Sequence, residues 1–150
     1  MLFKNLFKSL NIERARFSSI NDFSFNINKK LKFNDLSIKS KINLDQLVVN
    51  NDIINLKSYL PDLDKAINFE NHKITVNYEK DKLEIKGKGE ILIKEDSDYI
   101  NYQIKRNNNQ FIFDTKINLK NSELLLDFLN YEKKENLDSL ILIKGNFKKN

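Results

Sequence analysis

The chain has no cysteine and no tryptophan, one proline, one histidine and three glycines. Without cysteine there can be neither a disulfide nor thiolate chemistry. A single histidine with no cysteine makes no zinc site, and His72, at the entrance to a strand in Asn71-His72-Lys73, reads as an ordinary surface residue. Gly87-Lys88-Gly89 lacks the third glycine and the strand-to-helix setting of a dinucleotide loop. Asp62 and Asp64 do not continue into a calcium loop, which would need a glycine at a fixed later place. No apolar run approaches the roughly 20 residues of a membrane-spanning helix. The first 17 residues are interrupted by charge every few positions, unlike the apolar stretch of a secretory signal. These absences lead us to expect a non-enzymatic protein with no cofactor and no metal site.

What the chain does contain is alternation. Leu83, Ile85, Gly87, Gly89, Ile91 and Ile93 share one parity, against Glu84, Lys86, Lys88, Glu90 and Lys94 on the other, with Leu92 the exception. Ile100, Tyr102 and Ile104 alternate with Asn101, Gln103 and Lys105, and Phe111, Phe113, Thr115, Ile117 and Leu119 with Asp114, Lys116 and Asn118. A period of two marks strands with one apolar and one wet face. Three in succession, joined by polar turns at Arg106–Asn109 and the like, make an antiparallel meander. Phe23, Phe25 and Ile27, then Leu36, Ile38, Ile42 and Leu44, then Ile74, Val76 and Tyr78, give the same pattern earlier. Lys29-Lys30 and Glu79-Lys80-Asp81-Lys82 sit where turns are needed.

Three stretches read differently. Leu2, Phe3, Leu6, Phe7 and Leu10 form a helical stripe, which fits an amphipathic surface helix or core packing, with residues 11–17 as an alternative first strand. Within 45–71 the rhythm breaks. Ile53, Leu56, Tyr59 and Leu60 suit a short helix ending before Pro61, and 62–68 a second helical turn, so this is the candidate lid or end cap. Leu124–Leu129 fits a strand or a helix equally. The last strand, Leu140–Phe147, is apolar on both faces, which is usual for an interior strand. It lies so close to the C-terminal residues that we expect the chain to be a segment of a longer protein.

The 150 residues fit one β-rich domain over 1–150, with roughly seven or eight strands and at most two short helices. Twenty-six basic residues against 21 acidic ones give a net charge of +5. In a sequence crowded with Asn, Lys and Ile, we read this as lysine filling solvent-facing strand positions, not as a nucleic-acid surface. Phe and Tyr fall at apolar parity and are not interleaved with Arg as on a single-strand platform. Burial of each large apolar side chain is worth about 1.5–3 kcal/mol, so the apolar face needs cover. Either the sheet closes as a sandwich or barrel, or it curls into an open trough that apolar ligands complete.

The run from Ile74 to Leu142 resembles the repeating C-terminal β region of the AsmA-like family, the TamB and YhdP type of envelope protein. The resemblance rests on Gly87–Ile93 (GKGEILI), on the Ile100–Ile104 strand and on the Phe111–Gly145 block, with Leu129, Tyr131, Lys133 and Leu140–Leu142 in the family's order and Asn136 where glycine is common. It implies a twisted, U-shaped β-trough in the bacterial periplasm or cell envelope, carrying phospholipid acyl chains in outer-membrane biogenesis, with other envelope proteins as further partners. The expected lining is Phe25, Ile85, Ile91, Tyr102, Phe111 and Phe113. Gly87 and Gly89 would let the trough curve or an acyl chain pass close. The alternative is a β-rich interaction domain that pairs through an exposed edge strand.

Overall fold

The computed structural model describes residues 11–50, 56–63, 66–93 and 96–148. Nine strands fall within them: β1 (Ile12–Ile27), β2 (Phe33–Asn50), β3 (Ala66–Glu79), β4 (Lys82–Leu92), β5 (Ser97–Asn107), β6 (Gln110–Leu119), β7 (Leu124–Leu126), β8 (Tyr131–Lys133) and β9 (Ser139–Lys148). Seven form one antiparallel sheet in the order β1-β2-β3-β4-β5-β6-β9, and β7 and β8 form a small hairpin. β1 and β9 are its two edges, so the sheet does not close into a barrel. The expected mainly β antiparallel meander is present.

Local sequence sets the turns. Lys80 and Asp81 both take positive φ, 46° and 66°, the backbone of a type I′ two-residue hairpin, whose twist matches the flanking strands. At the β1–β2 reversal, Asn28 Oδ1 accepts from the backbone N–H of Lys30 (2.9 Å) and Lys32 (3.0 Å), an Asx-type closure. The register also slips twice at one level of the sheet. β1 and β2 shift between Arg16 and Phe17, and β3 and β4 between Glu70 and Lys73, while β2 and β3 pair without a break. At this level β2 and β3 therefore each carry one extra residue, Asp45 and Asn71, the latter at φ 54°, and a further shift between Ser24 and Asn26 adds another to β2 near its start. An extra residue inverts parity. It is why the alternation fails in this region, and why Phe69 and Ile67 share a face with Ile74 and Val76.

The core sits at one end of the sheet. Leu63, Ile91, Ile93, Ile100 and Leu119 form the buried cluster, with Leu60, Phe69, Tyr102, Ile117 and Ile141 packed around it. The cover is the segment 56–63 and the β7–β8 hairpin, joined where the Leu125 N–H donates to the Tyr59 carbonyl (2.8 Å). Two buried charges hold the turn between β6 and β7. Asp98 Oδ1 accepts from the N–H groups of Lys120 (2.7 Å) and Asn121 (2.9 Å), and its Oδ2 from the Ser122 hydroxyl (2.6 Å). From the other side, Lys133 Nζ donates to the carbonyls of Lys120 (2.8 Å) and Ser122 (2.6 Å).

Several expectations are corrected. Leu56–Ser58 is a single 3-10 turn, and Ala66–Glu79 is strand where a second helical turn was expected over 62–68, because the β2–β3 ladder extends to Asn50 and Ala66. Ile53 and the stripe Leu2–Leu10 lie outside the described residues. Residues 12–27 form one long strand. Leu124–Leu129 divides into strand Leu124–Leu126 and 3-10 turn Asp127–Leu129. β9 is an edge, not an interior strand: it pairs with β6, and Leu140 and Leu142 are exposed on the face opposite Ile141.

Asp98→Ala removes the acceptor for three donors, two of them backbone. Losing hydrogen bonds to a charged group in a buried turn should lower stability by about 2–4 kcal/mol, with Asp98→Asn milder because one carbonyl acceptor survives. Urea unfolding measures this, and an Asp98→Ala midpoint equal to the parent's would show that the turn is held some other way.

Candidate functional site

Residues paired directly across antiparallel strands point to the same side of a sheet. Rows can therefore be read across all seven strands. One is Phe23–Ile38–Tyr78–Leu83–Arg106–Phe111–Phe147. The next runs Ser40–Val76–Ile85–Ile104–Phe113–Gly145, and the next Ile42–Ile74–Gly87–Tyr102–Thr115–Ile143. These rows make one continuous apolar face. The cap covers it at the end holding Ile91, Ile100 and Leu119; the rows through Ile104 and Arg106 lie at the other end. Phe17, Phe23, Phe25, Phe147 and Ile143 are exposed, and every residue of β1 except Ile12 is exposed.

All six expected lining residues belong to this face, but they do not form one patch. Ile85 and Phe113 lie in the same row, separated only by Ile104. Phe111 lies one row further and stacks on Phe147, with ring centroids 4.8 Å apart. Tyr102 packs against the core cluster. Ile91 is buried under the cap at 9% exposure, so it is core and not an open lining position. Phe25, 47% exposed, is on β1, three strands from Ile85, or about 14 Å at the usual strand spacing.

The glycines do not leave free space on the face. A Cβ at Gly87 would overlap the Tyr102 ring, one at Gly89 the His72 ring, and one at Gly145 the Phe113 ring. A ring from the neighbouring strand lies across each glycine and fills the gap an acyl chain would have used. His72, read from sequence as a surface residue, is 2% exposed. It stands two residues before Ile74 on the same parity, and the bulge at Asn71 leaves it on the apolar side. Its Nε2 lies 2.9 Å from the Glu90 carbonyl and so carries the proton it donates there, and Phe69 meets the ring edge-on at 5.7 Å. The imidazole is committed to packing. Among the described residues no three His, Cys, Asp or Glu side chains are grouped to hold a metal ion, and no helix is long and apolar enough to cross a membrane.

The opposite face is polar. Glu84 is held below the usual carboxylate range, chiefly by its hydrogen bond with Lys86 (3.2 Å), against the opposing effect of burial. Gln103 donates to it at 2.7 Å, and Lys105 lies 3.8 Å away. Two cavities, of about 780 Å³ and about 350 Å³, are lined by runs of consecutive residues such as 37–39, 82–84 and 105–107, or 41–43, 73–75 and 86–88. The outer members of each run belong to the polar face, so both cavities open there. Lys41, Lys73, Lys86 and Lys88 rim the smaller one.

Sequence reasoning passed over Arg106, assigning it to a turn. β5 continues to Asn107, and Arg106 shares parity with Tyr102 and Ile104, which is the signal that could have found it. Comparison with models of protein families, with curated proteins and with solved structures finds no match.

Burial holds the Tyr102 phenol above its ordinary value of 10.0. The folded chain therefore keeps this proton more tightly than the unfolded chain. The associated stability is complete below pH 10 and is lost as pH rises through the folded value. Thermal melts above pH 10 should fall more steeply for the parent than for Tyr102→Phe. Parallel melting curves would exclude Tyr102 as the group responsible.

Proposed function

We propose that this chain is a non-enzymatic β-trough segment that carries the acyl chains of phospholipid along its apolar face, in the manner of the AsmA-like envelope proteins it resembles, as part of moving lipid across the bacterial periplasm. One observation carries the reading: among the described residues, a seven-strand apolar face is covered at one end only, with large side chains such as Phe23, Phe25 and Phe147 left exposed beyond the cover. Contiguous apolar surface of this extent is a binding surface by physical default. The middle of the open stretch, Val76–Ile85–Ile104–Phe113, is apolar without interruption, which suits the hydrocarbon of an acyl chain. The accessible lining is Ile85, Ile104, Phe111 and Phe113, with Phe25 at the far edge.

A second reading has its own support. Among the described residues both sheet edges are unpaired, and β1 offers sixteen residues of edge backbone. Such an edge pairs readily with another strand. On this reading the chain is an interaction domain.

Organic extraction and mass spectrometry of freshly purified protein should yield phospholipid near one per chain, lost in Phe113→Asp provided circular dichroism keeps its β signature. A lipid-free, monomeric protein that unfolds cooperatively would overturn the trough. A lipid-free dimer dissociated by Ile143→Lys would favour edge pairing.

A further inference from the structure

Of the paired strand residues on the apolar face, only two are charged, and they stand near opposite ends of β5: Asp98 and Arg106. Asp98 is consumed by the capped turn, with three donors on its two oxygens. Arg106 is at the uncapped end, paired across the strands with Leu83 on one side and Phe111 on the other. Its guanidinium lies 6.0 Å from the centre of the Tyr78 ring, and its Nε is shielded from solvent with no hydrogen-bond partner among the described residues.

A buried donor left unsatisfied is destabilising, and an arginine is charged at any ordinary pH. A guanidinium supported on an aromatic ring is also prepared to grip an oxyanion through two parallel N–H groups. Resting on the trough reading, we propose that Arg106 is the head-group site of this face: it binds the carboxylate or phosphate of an anionic lipid. The tail crosses the row Ile85–Ile104–Phe113 and continues along β5 toward Tyr102 and the capped end. The dimensions agree. From Arg106 to Tyr102, where the core cluster begins, β5 rises about 13 Å, and one leaflet of a bilayer holds hydrocarbon about 15 Å thick. The closed core beneath Leu63 sets the far limit of the tail, and the cation fixes the near one.

Displacement of a bound apolar fluorophore by palmitate and by methyl palmitate tests this, since the two share a tail and differ in charge. The parent should prefer palmitate by roughly tenfold or more, the equivalent of one charged hydrogen-bonding group. Arg106→Gln should bring that ratio close to one while leaving methyl palmitate unchanged, and Arg106→Lys should keep part of it. Lysophosphatidic acid should behave as palmitate does if a phosphate head also serves. Inorganic phosphate alone should not displace the fluorophore, and displacement by it would overturn the requirement for a tail. Equal binding of both palmitate forms by the parent, or a ratio unmoved in Arg106→Gln, would overturn the head-group site and leave the trough standing. No binding of either form would overturn both. A second readout is independent of ligand: without lipid, Arg106→Leu should melt at or above the parent's temperature, because it removes an unsatisfied buried donor. A marked fall would show that Arg106 serves the fold instead.

Discussion

The turn at Lys120–Ser122 is gripped by opposite charges on its two sides. Asp98 takes its N–H groups and Lys133 takes its carbonyls, and both charged side chains are almost completely buried. Burying either charge alone would be strongly unfavourable. Here each is compensated by backbone dipoles of the same turn. That interaction sets where the chain leaves β6, and therefore where β7 and β8 lie. It brings the hairpin to the segment 56–63, which places Leu63 over Ile91, Ile93, Ile100 and Leu119. The closed core of this protein is the consequence. Beyond it the sheet has no second layer among the described residues.

The uncovered face is instead made smooth within the sheet. Phe113 lies across Gly145 of the adjacent strand and is half-buried there, and nearer the cap Tyr102 and the fully buried His72 lie across Gly87 and Gly89 in the same way. Phe111 and Phe147 achieve the same by stacking face to face. Such pairs stabilise a sheet through cross-strand contact. They also fill the gaps that the glycines would leave in the apolar surface. This is the physical link between the glycine positions and a face suited to an extended acyl chain: the glycines accommodate the protein's own rings, and the rings present the surface.

Much of the architecture was legible in the sequence because strand parity reports directly on which face is buried. The Leu83–Ile93, Ile100–Ile104 and Phe111–Leu119 alternations correspond to β4, β5 and β6, and Glu79–Lys82 is the turn expected of it. Parity failed where the chain inserts residues. The extra Asp45 and Asn71 invert the pattern in β2 and β3, so 62–68 looked helical when its second half is strand. Burial failed for His72 because residue type was weighed above position. The polar clamp of Asp98 and Lys133 joins residues far apart in sequence, and no local spacing announces it. For the candidate site, the lining residues were found by parity, but periodicity could not separate capped from uncapped positions, which is why Ile91 was grouped with Phe113. Arg106 was missed because a cation beside three asparagines resembles a turn.

The most direct test of an open, lipid-bearing apolar face is paramagnetic broadening of methyl and aromatic NMR signals by a fatty acid spin-labelled at the tail end. The account predicts broadening centred on Ile85, Ile104 and Phe113, with Leu63 and Ile93 reporting only from beneath the cap and the Lys41 and Lys86 face unaffected. Broadening confined to the lysine-rich face, or none at saturating fatty acid, would contradict it.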